Sequence, residues 1–432
     1  MKISTQPYKG SRDFYPEDKR IQNWIFDNWR IVVERYGYEH YDAPILEPTD
    51  LFLMKGSEEI VREQTYTFLD RGDRSVTIRT EMTPTVSRMV AGRRQEIAYP
   101  ARWYSIPNLW RYERMQKGRL REFWQLNVDM FGVASGAAEL EMIQIVDGIL
   151  QQVKAKRSSY VIKVNSRVLV STLFVTILGL SEEKSTELIR VTDKKNKMSA
   201  TEFEVAVHLI TQDEAKTRKV VEILNIKTVQ DLPADLQGLD SVIELRKLVG
   251  TCKSQGVRNI EFDITLMRGF DYYTDIVFEA FDTNPDNNRS MLGGGRYDGL
   301  VGQFGVEPVP TVGFAMGDVV FQEFLESNGL IPDLKPTTEI YVIIRDLESS
   351  DGAQLAANEL REMGVNVAVD YSGKKVDKQF KSANKNNVAY VLFIGREELE
   401  AEQYVLKDLK SGKEVKHSLQ RIVSIVKDSR KK

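Results

Sequence analysis

The chain has 432 residues, 42% hydrophobic and 28% charged, with 60 Lys and Arg against 63 Asp and Glu for a net charge of -3. That length suffices for two or three domains with sizeable cores, and the composition is that of an ordinary globular protein. A single cysteine, Cys252, excludes a disulfide framework and a thiolate metal cage, and three scattered histidines, His40, His208 and His417, give no zinc-type spacing. The nearly balanced charge argues against a non-specific nucleic-acid binder, so the local placement of arginines matters more than their total. No apolar run is long enough to span a bilayer and the first residues show no signal-like stretch, so a cytoplasmic setting without a membrane partner is expected.

In chain order, residues 16–36 are expected to be helical. Pro16 and Glu17 suit a first turn, Ile21, Ile25, Val32 and Tyr36 recur at helical spacing, and Gly37 closes the run. Residues 41–53 turn extended around Pro44 and Pro48. A strand follows at 75–81, with Val76 and Ile78 on one face and Thr77, Arg79 and Glu81 on the other, then a helix from Pro84 to Val90. Residues 102–132 read as two strands around a basic loop. In the second, Trp124, Leu126, Val128 and Met130 share an apolar face, while Phe123, Gln125, Asn127 and Asp129 share the opposite one. A polar row behind an apolar face suits the wall of a cavity.

Residues 166–257 have the Leu, Lys and Glu texture of a helical insertion, with Val220, Val221, Ile223 and Leu224 at helical spacing. Strand texture returns at 259–281 and again at 293–297, and the prolines of 332–336 mark a connector. The remainder alternates apolar runs at 340–344, 365–369 and 390–394 with helical stretches at 353–363 and 376–384, the pattern of a small α/β domain with a largely parallel sheet. The expected division is 1–165 and 258–330 for one core, 166–257 for the insertion, 331–336 for the linker and 337–432 for the last domain.

Four cations fall within residues 114–121, Arg114, Lys117, Arg119 and Arg121, with Arg111 and Glu113 just before them. Crowded like charges favour a nearby anion, and guanidinium forks match phosphate oxygens. A solvated basic turn carries the same residues, and charge alone favours it. Arg268 precedes Tyr272 and Tyr273; it either meets an anion or pairs with Asp271. Gly293, Gly294 and Gly295 allow close backbone approach to a ligand or form a tight turn, and they lack a dinucleotide fingerprint. Glu81 is able to hold an ammonium group, although an exposed strand end is the commoner fate of a lone glutamate. Cys252 and the three histidines are assigned no chemistry, and no nucleophile motif occurs.

Together these segments resemble class II aminoacyl-tRNA synthetases and, within them, the histidine-specific family. Residues 38–52, with Pro44, look like the first class motif, residues 110–125 like the second, and residues 266–273 and 293–300 like two segments peculiar to histidine-specific members. The resemblance implies an α+β catalytic domain with an antiparallel sheet flanked by helices, a helical insertion, and a C-terminal α/β anticodon-binding domain. It implies a ligase that uses ATP and Mg2+ to activate L-histidine and then charges tRNA(His). By the same resemblance, Arg111 grips the α-phosphate, Glu113 reads the adenine amino group, Arg119 reaches the outer phosphates and Phe123 stacks on adenine. Glu81, Thr83, Gln125 and Asp129 hold the α-ammonium of histidine; Tyr272, Tyr273 and Tyr297 line the imidazole pocket. Arg268 touches both the amino-acid carboxylate and the α-phosphate, Arg114 and Gln116 lie near the tRNA acceptor end, no protein-held metal is needed, and the first motif makes a homodimer.

Three positions depart from the pattern. Val320 stands where the third motif carries an arginine for the γ-phosphate, Asp129 replaces a glutamate, and Met115 replaces a proline. Outer-phosphate binding is then left to Arg119 and magnesium. Two rival readings share parts of the pattern: a binding subunit of the same fold, such as the regulatory subunit of ATP phosphoribosyltransferase, and a synthetase for another amino acid. The Arg111, Glu113, Arg119 and Arg268 set and the C-terminal domain speak against the first, and the two histidine-type segments against the second.

Overall fold

The structure is a computed structural model and describes residues 3–53, 64–195, 198–268, 272–287 and 289–430. Its contacts divide the chain into one unit formed by Met1–Asp13 and Gln22–Ile331 and another formed by Phe14–Ile21 and Pro332–Lys432. Among the described residues no helix is long and apolar enough to cross a membrane.

The first unit is built on a sheet whose strands, in chain order, are β1 Glu39–His40, β5 Ala101–Ser105, β6 Asn108–Trp110, β7 Glu122–Phe131, β8 Tyr160–Ser166, β9 Ile260–Phe262, β10 Ile276–Asp282, β11 Ser290–Arg296 and β12 Thr311–Gly317. Three further strands, β2 Leu46–Pro48, β3 Tyr66–Leu69 and β4 Ser75–Ile78, form a separate small sheet in the order β2-β4-β3. The large sheet runs β1-β5-β7-β12-β11-β10-β8-β9, with β6 paired to β7. Its interior is antiparallel as the resemblance implied, while the end pairings β1·β5 and β8·β9 are parallel, so the sheet is mixed. The two strands expected over 102–132 are three. Pro107 has no N–H for the ladder, and the first strand breaks there into β5 and β6.

Two periodicities place the core. Leu126, Val128 and Met130 of β7 and Val312, Phe314 and Met316 of β12 are buried, and the helices Ala137–Gln152 and Asp318–Ser327 pack on this sheet. The helix Pro16–Arg35 contributes Trp29, whose ring centre lies 5.6 Å from that of Phe321 in the helix Asp318–Ser327. Each such fully buried aromatic contributes roughly 1.5–3 kcal/mol. Gly37, at φ 78°, takes the left-handed turn that ends the helix Pro16–Arg35.

On the cavity side, the register aligns Asn127, Ala315, Gly293, Glu279 and Lys163 in one lateral row. Asp129, Gly313, Gly295, Val277 and Asn165 form the adjacent row. Small residues thus occupy the middle of both rows, leaving a trough. Gly293 to Gly295, for which a tight turn was one reading, lie inside β11 in the interior of the sheet.

Between β8 and β9 the described helices are Arg167–Thr172, Glu182–Asp193, Ala200–Thr211, Glu214–Ile223 and Asp240–Ser254. Local capping sets several starts: Ser181 and Asp213 accept backbone N–H groups, and Ser199 with Glu202 forms a capping box. The last helix is not set apart from the core, since it packs on β8, β9 and the helix Ala137–Gln152.

The second unit carries β13 Ile340–Ile344, β14 Val367–Val369, β15 Tyr390–Ile394, β16 Tyr404–Asp408 and β17 Glu414–His417, in the order β14-β13-β15-β16-β17. The three expected strands are mutually parallel, but β16 and β17 add two antiparallel pairings, so the expected largely parallel sheet is mixed. These two strands are short and half polar, and their hairpin is set by Asp408, whose carboxylate accepts from Lys410 N at 2.8 Å and Ser411 N at 2.9 Å. Ile340, Val342 and Ile344 join one apolar cluster with Leu360 and Ile422, while Ile343 joins another with Ala383 and Phe393, so the sheet is covered on both faces.

The opposite, apolar face of the sheet makes a stability prediction. A Cβ on Gly294 would lie 2.5 Å from the Gly313 carbonyl oxygen and 2.6 Å from Phe278 Cζ. Gly294→Ala should therefore destabilise the first unit by about 1–3 kcal/mol, read as a lower urea midpoint at unchanged slope; an unaltered midpoint would refute the close packing.

Candidate active site

The trough opens into a cavity of about 1150 Å³. Its lining gathers Glu81, Thr83, Arg111, Glu113, Gln116, Arg119, Phe123, Gln125, Asp129, Arg268, Tyr272, Tyr273 and Tyr297, which come from widely separated stretches of sequence. Arg114 is exposed and does not line it.

One end is aromatic and acidic. Tyr272, Tyr273 and Tyr297 meet with ring centres 4.8 to 6.3 Å apart. Tyr297 donates a short hydrogen bond to Asp129 Oδ1, and Tyr272 Oη donates to Glu81 Oε2 at 3.1 Å. Asp129 reaches this point because Gly313 opposite it lacks a Cβ, which would fall on the carboxylate and 2.8 Å from Tyr297 Oη. Burial pushes the Asp129 carboxyl up to about 7, the Tyr297 hydrogen bond only partly opposing it, and Asp129 Oδ2 is buried with no partner among the described residues. Burial also raises Glu81, against the opposing pull of Arg111, Tyr272 and Arg268.

The expected exposed strand end for Glu81 is not what forms. β4 stops at Ile78, the chain turns inward, and Glu81 is only 6% exposed. Thr83 begins the helix Thr83–Gly92, with Pro84 suited to its first turn.

Arg268 lies over the middle of the trough. It adopts φ 61°, a region costly for a residue with a Cβ, and is held by an ion pair with Glu279. Asp271, the partner in one of the two readings, lies outside the described residues, as do Gly269 and Phe270. A Cβ on Gly293 would collide with the Arg268 guanidinium, so the glycine admits that side chain. Arg268 Nε is buried with no hydrogen-bond partner among the described residues. A strained, buried guanidinium with an unused donor is arranged to receive an anion.

The other end is basic. Arg111 Nε donates to the Thr80 carbonyl at 3.0 Å, and its guanidinium lies 5.4 Å from the Phe123 ring centre. Arg119 pairs with Glu113 at 3.5 Å. The loop 114–121 is a tight turn: Arg119 N donates to the Gln116 carbonyl at 2.9 Å, and Gly118 has φ 74°. Its four cations separate in function. Arg119 lines the cavity, Arg121 stacks on Tyr112 at 3.8 Å, Lys117 donates to the Asp286 carbonyl at 3.3 Å, and Arg114 is exposed outside the lining.

Sequence reasoning missed Glu279 and the buried state of Glu81. A lone acid in the apolar run of β10 was the available signal for Glu279. It also assigned nothing to Arg289, which lines the cavity beside Val320. Among the described residues no group of three or more His, Cys, Asp or Glu is placed to hold a metal ion.

The model for histidyl-tRNA synthetase matches residues 10–318, and that for an anticodon binding domain matches residues 339–429. A Leptospira biflexa protein named histidine–tRNA ligase is 40% identical over 432 residues, covering 99% of this chain and 98% of that protein. A solved histidyl-tRNA synthetase from Nostoc sp. PCC 7120 has a TM-score of 0.84 at 24% identity, covering 99% of this chain and 100% of that one. An ATP phosphoribosyltransferase regulatory subunit/histidyl-tRNA synthetase from Bacillus halodurans has a TM-score of 0.74 at 22% identity, over 91% of this chain and 99% of that one. At those identities the structural likenesses speak for the fold alone. The sequence matches, spanning most of the chain, show that it belongs to the histidyl-tRNA synthetase family of class II aminoacyl-tRNA synthetases.

Proposed function

We infer that the chain is a histidine–tRNA ligase, which activates L-histidine with ATP and transfers it to the 3′ end of tRNA(His). One observation carries this reading: a single cavity joins an acidic, tyrosine-lined end to an arginine-lined end, with Arg268 between them. An amino acid and a triphosphate present the complementary charges, and Arg268 is positioned where a carboxylate and an α-phosphate would converge.

In the first step a carboxylate oxygen of histidine attacks the α-phosphorus. The bond to the bridging oxygen breaks and pyrophosphate leaves, with no proton transfer required. Catalysis is therefore positioning and charge neutralisation. Glu81, Thr83, Gln125 and Asp129 hold the α-ammonium, and Tyr272, Tyr273 and Tyr297 enclose the imidazole. Arg111 and Arg268 take the α-phosphate charge, Glu113 and Phe123 hold adenine, and Arg119 reaches outward along the phosphates. Magnesium is carried on the ATP phosphates, the usual mode for an ion that keeps several waters. In the second step a ribose hydroxyl at the tRNA 3′ end attacks the histidyl carbonyl, its proton passes to a phosphate oxygen of the departing AMP, and AMP leaves. Arg114 and Gln116 serve the acceptor end, the 166–257 helices the acceptor stem, and residues 337–432 the anticodon. A homodimer through residues 38–52 completes the proposal.

The regulatory-subunit reading shares the fold but has no use for a nucleotide end. The Arg111, Glu113 and Arg119 lining favours the ligase.

ATP–pyrophosphate exchange with each amino acid is the direct test. Exchange with histidine alone is expected; none with any amino acid would overturn the reading. Arg268→Ala should reduce exchange on the order of 10²-fold or more. It also leaves the partly buried Glu279 without its ion-pair partner, which lowers stability. The double variant Arg268→Ala/Glu279→Gln separates the two effects: it should regain the native urea midpoint and stay inactive.

Asp129 makes a pH prediction. Its carboxyl sits near 7 when folded against about 3.9 unfolded, so the folded state binds the proton more tightly. The resulting stability is present below pH 4 and is lost as pH rises through 7. Asp129→Asn, which cannot ionise, should gain on the native chain across pH 4–7 by a few kcal/mol. A constant gap between the two urea midpoints over this range would disprove the shift. For the assembly, sedimentation at micromolar concentration should give a dimer, and a monomer would count against the first-motif interface.

A further inference from the structure

Among the described residues five cations line the cavity: Arg111, Arg119, Lys163, Arg268 and Arg289. Four have protein partners, namely the Thr80 carbonyl, Glu113, Asp263 and Glu279 respectively. Arg289 has no hydrogen bond or ion pair with any described residue. It is half-buried, in the segment leading into β11, and a half-buried cation without a counter-ion is suited to a ligand anion.

Its surroundings identify which anion. Measured from an ideal Cβ on Gly118, Arg289 Cδ lies at 2.8 Å and Nε at 3.4 Å, and Val320 Cγ2 lies at 3.2 Å. The Arg289 stem therefore crosses the tip of the basic loop, one residue from Arg119 and next to the position where the third-motif arginine was expected. Glycine at 118 is what admits it, since any Cβ would overlap the Arg289 stem. The loop tip is fixed independently: Gly118 N donates to Glu323 Oε1 at 2.9 Å, and Lys117 reaches the Asp286 carbonyl. No ion pair joins Glu323 to Arg289, so its guanidinium is left to the cavity.

We propose that Arg289 binds the outer phosphates of ATP, supplying from the β11 side the positive charge that Val320 does not supply from the helix Asp318–Ser327. This rests on reading the basic end of the cavity as the nucleotide site. A cation shifted from helix to strand approaches the same phosphates from a different backbone element, and this also accounts for an apolar residue at 320. Valine there leaves room beside Gly118 for the Arg289 stem, where a long side chain would compete for the space.

The test is calorimetric binding of Mg-ATP, pyrophosphate and AMP to the native chain and to Arg289→Ala, with exchange kinetics in parallel. Loss of a charge-assisted phosphate contact should weaken ATP and pyrophosphate about tenfold to a hundredfold. AMP affinity and the KM for histidine should change less than about twofold. Adding Val320→Arg to Arg289→Ala, which vacates the space beside Gly118, should restore much of the ATP affinity. Unchanged ATP and pyrophosphate binding in Arg289→Ala overturns the proposal, and so does an equal weakening of AMP, which would mean a distorted site. A native chain that binds ATP but exchanges with no amino acid would remove the ligase reading while leaving this assignment to stand on the binding data. A native chain that binds neither ATP nor pyrophosphate would remove both.

Discussion

The laying of Arg268 across a strand that has no side chains in its way is the constraint on which the site depends. A guanidinium buried at φ 61° and paired with Glu279 needs floor space, and Gly293 provides it. Once β11 is glycine-rich, its neighbours must compensate. Gly294 fits under Gly313 and Phe278, Gly295 lets Tyr273 approach, and Gly313 admits Asp129 and Tyr297. The cavity is thus carved by omission at Gly293, Gly295 and Gly313, where missing Cβ atoms admit side chains of the site.

Charge is then sorted along the trough. Carboxyls whose pKa burial raises stand at one end, and guanidinium groups at the other. Neither end is comfortable alone: Asp129 Oδ2 and Arg268 Nε are both buried with no hydrogen-bond partner among the described residues. Each unsatisfied atom disfavours the empty state and rewards a ligand that supplies the opposite charge, so specificity and cost have the same origin. The ion pair of Arg296 with Glu139 at 2.6 Å does the opposite work behind the sheet, each charge matching the other.

Much of this was legible in sequence, where a period or a local pairing carried it. The alternation in β7 gave the cavity wall, helical spacing gave the helix Pro16–Arg35 to within one residue, and apolar runs gave β13 and β15 to the residue. What was hidden depends on partners distant in sequence. Glu81 looked exposed because its burial comes from Tyr272. The glycines of β11 admitted a turn because only register reveals that they lie opposite Gly313 and Ala315. Arg289 sits in a polar stretch and acquires meaning only beside Gly118 and Val320. In the second unit, β16 and β17 were missed because short, half-polar edge strands leave little period to count.

The basic loop has one more consequence. Its turn closes on itself between Gln116 and Arg119, and it is tied to the helix Asp318–Ser327 through Gly118 and to the segment before β11 through Lys117. A loop moored on two sides has already surrendered its conformational entropy in the absence of nucleotide, at about 1–2 kcal/mol of backbone ordering per residue. Nucleotide binding is then spared that loss, and the arriving phosphates meet a preset rim rather than one that must fold around them.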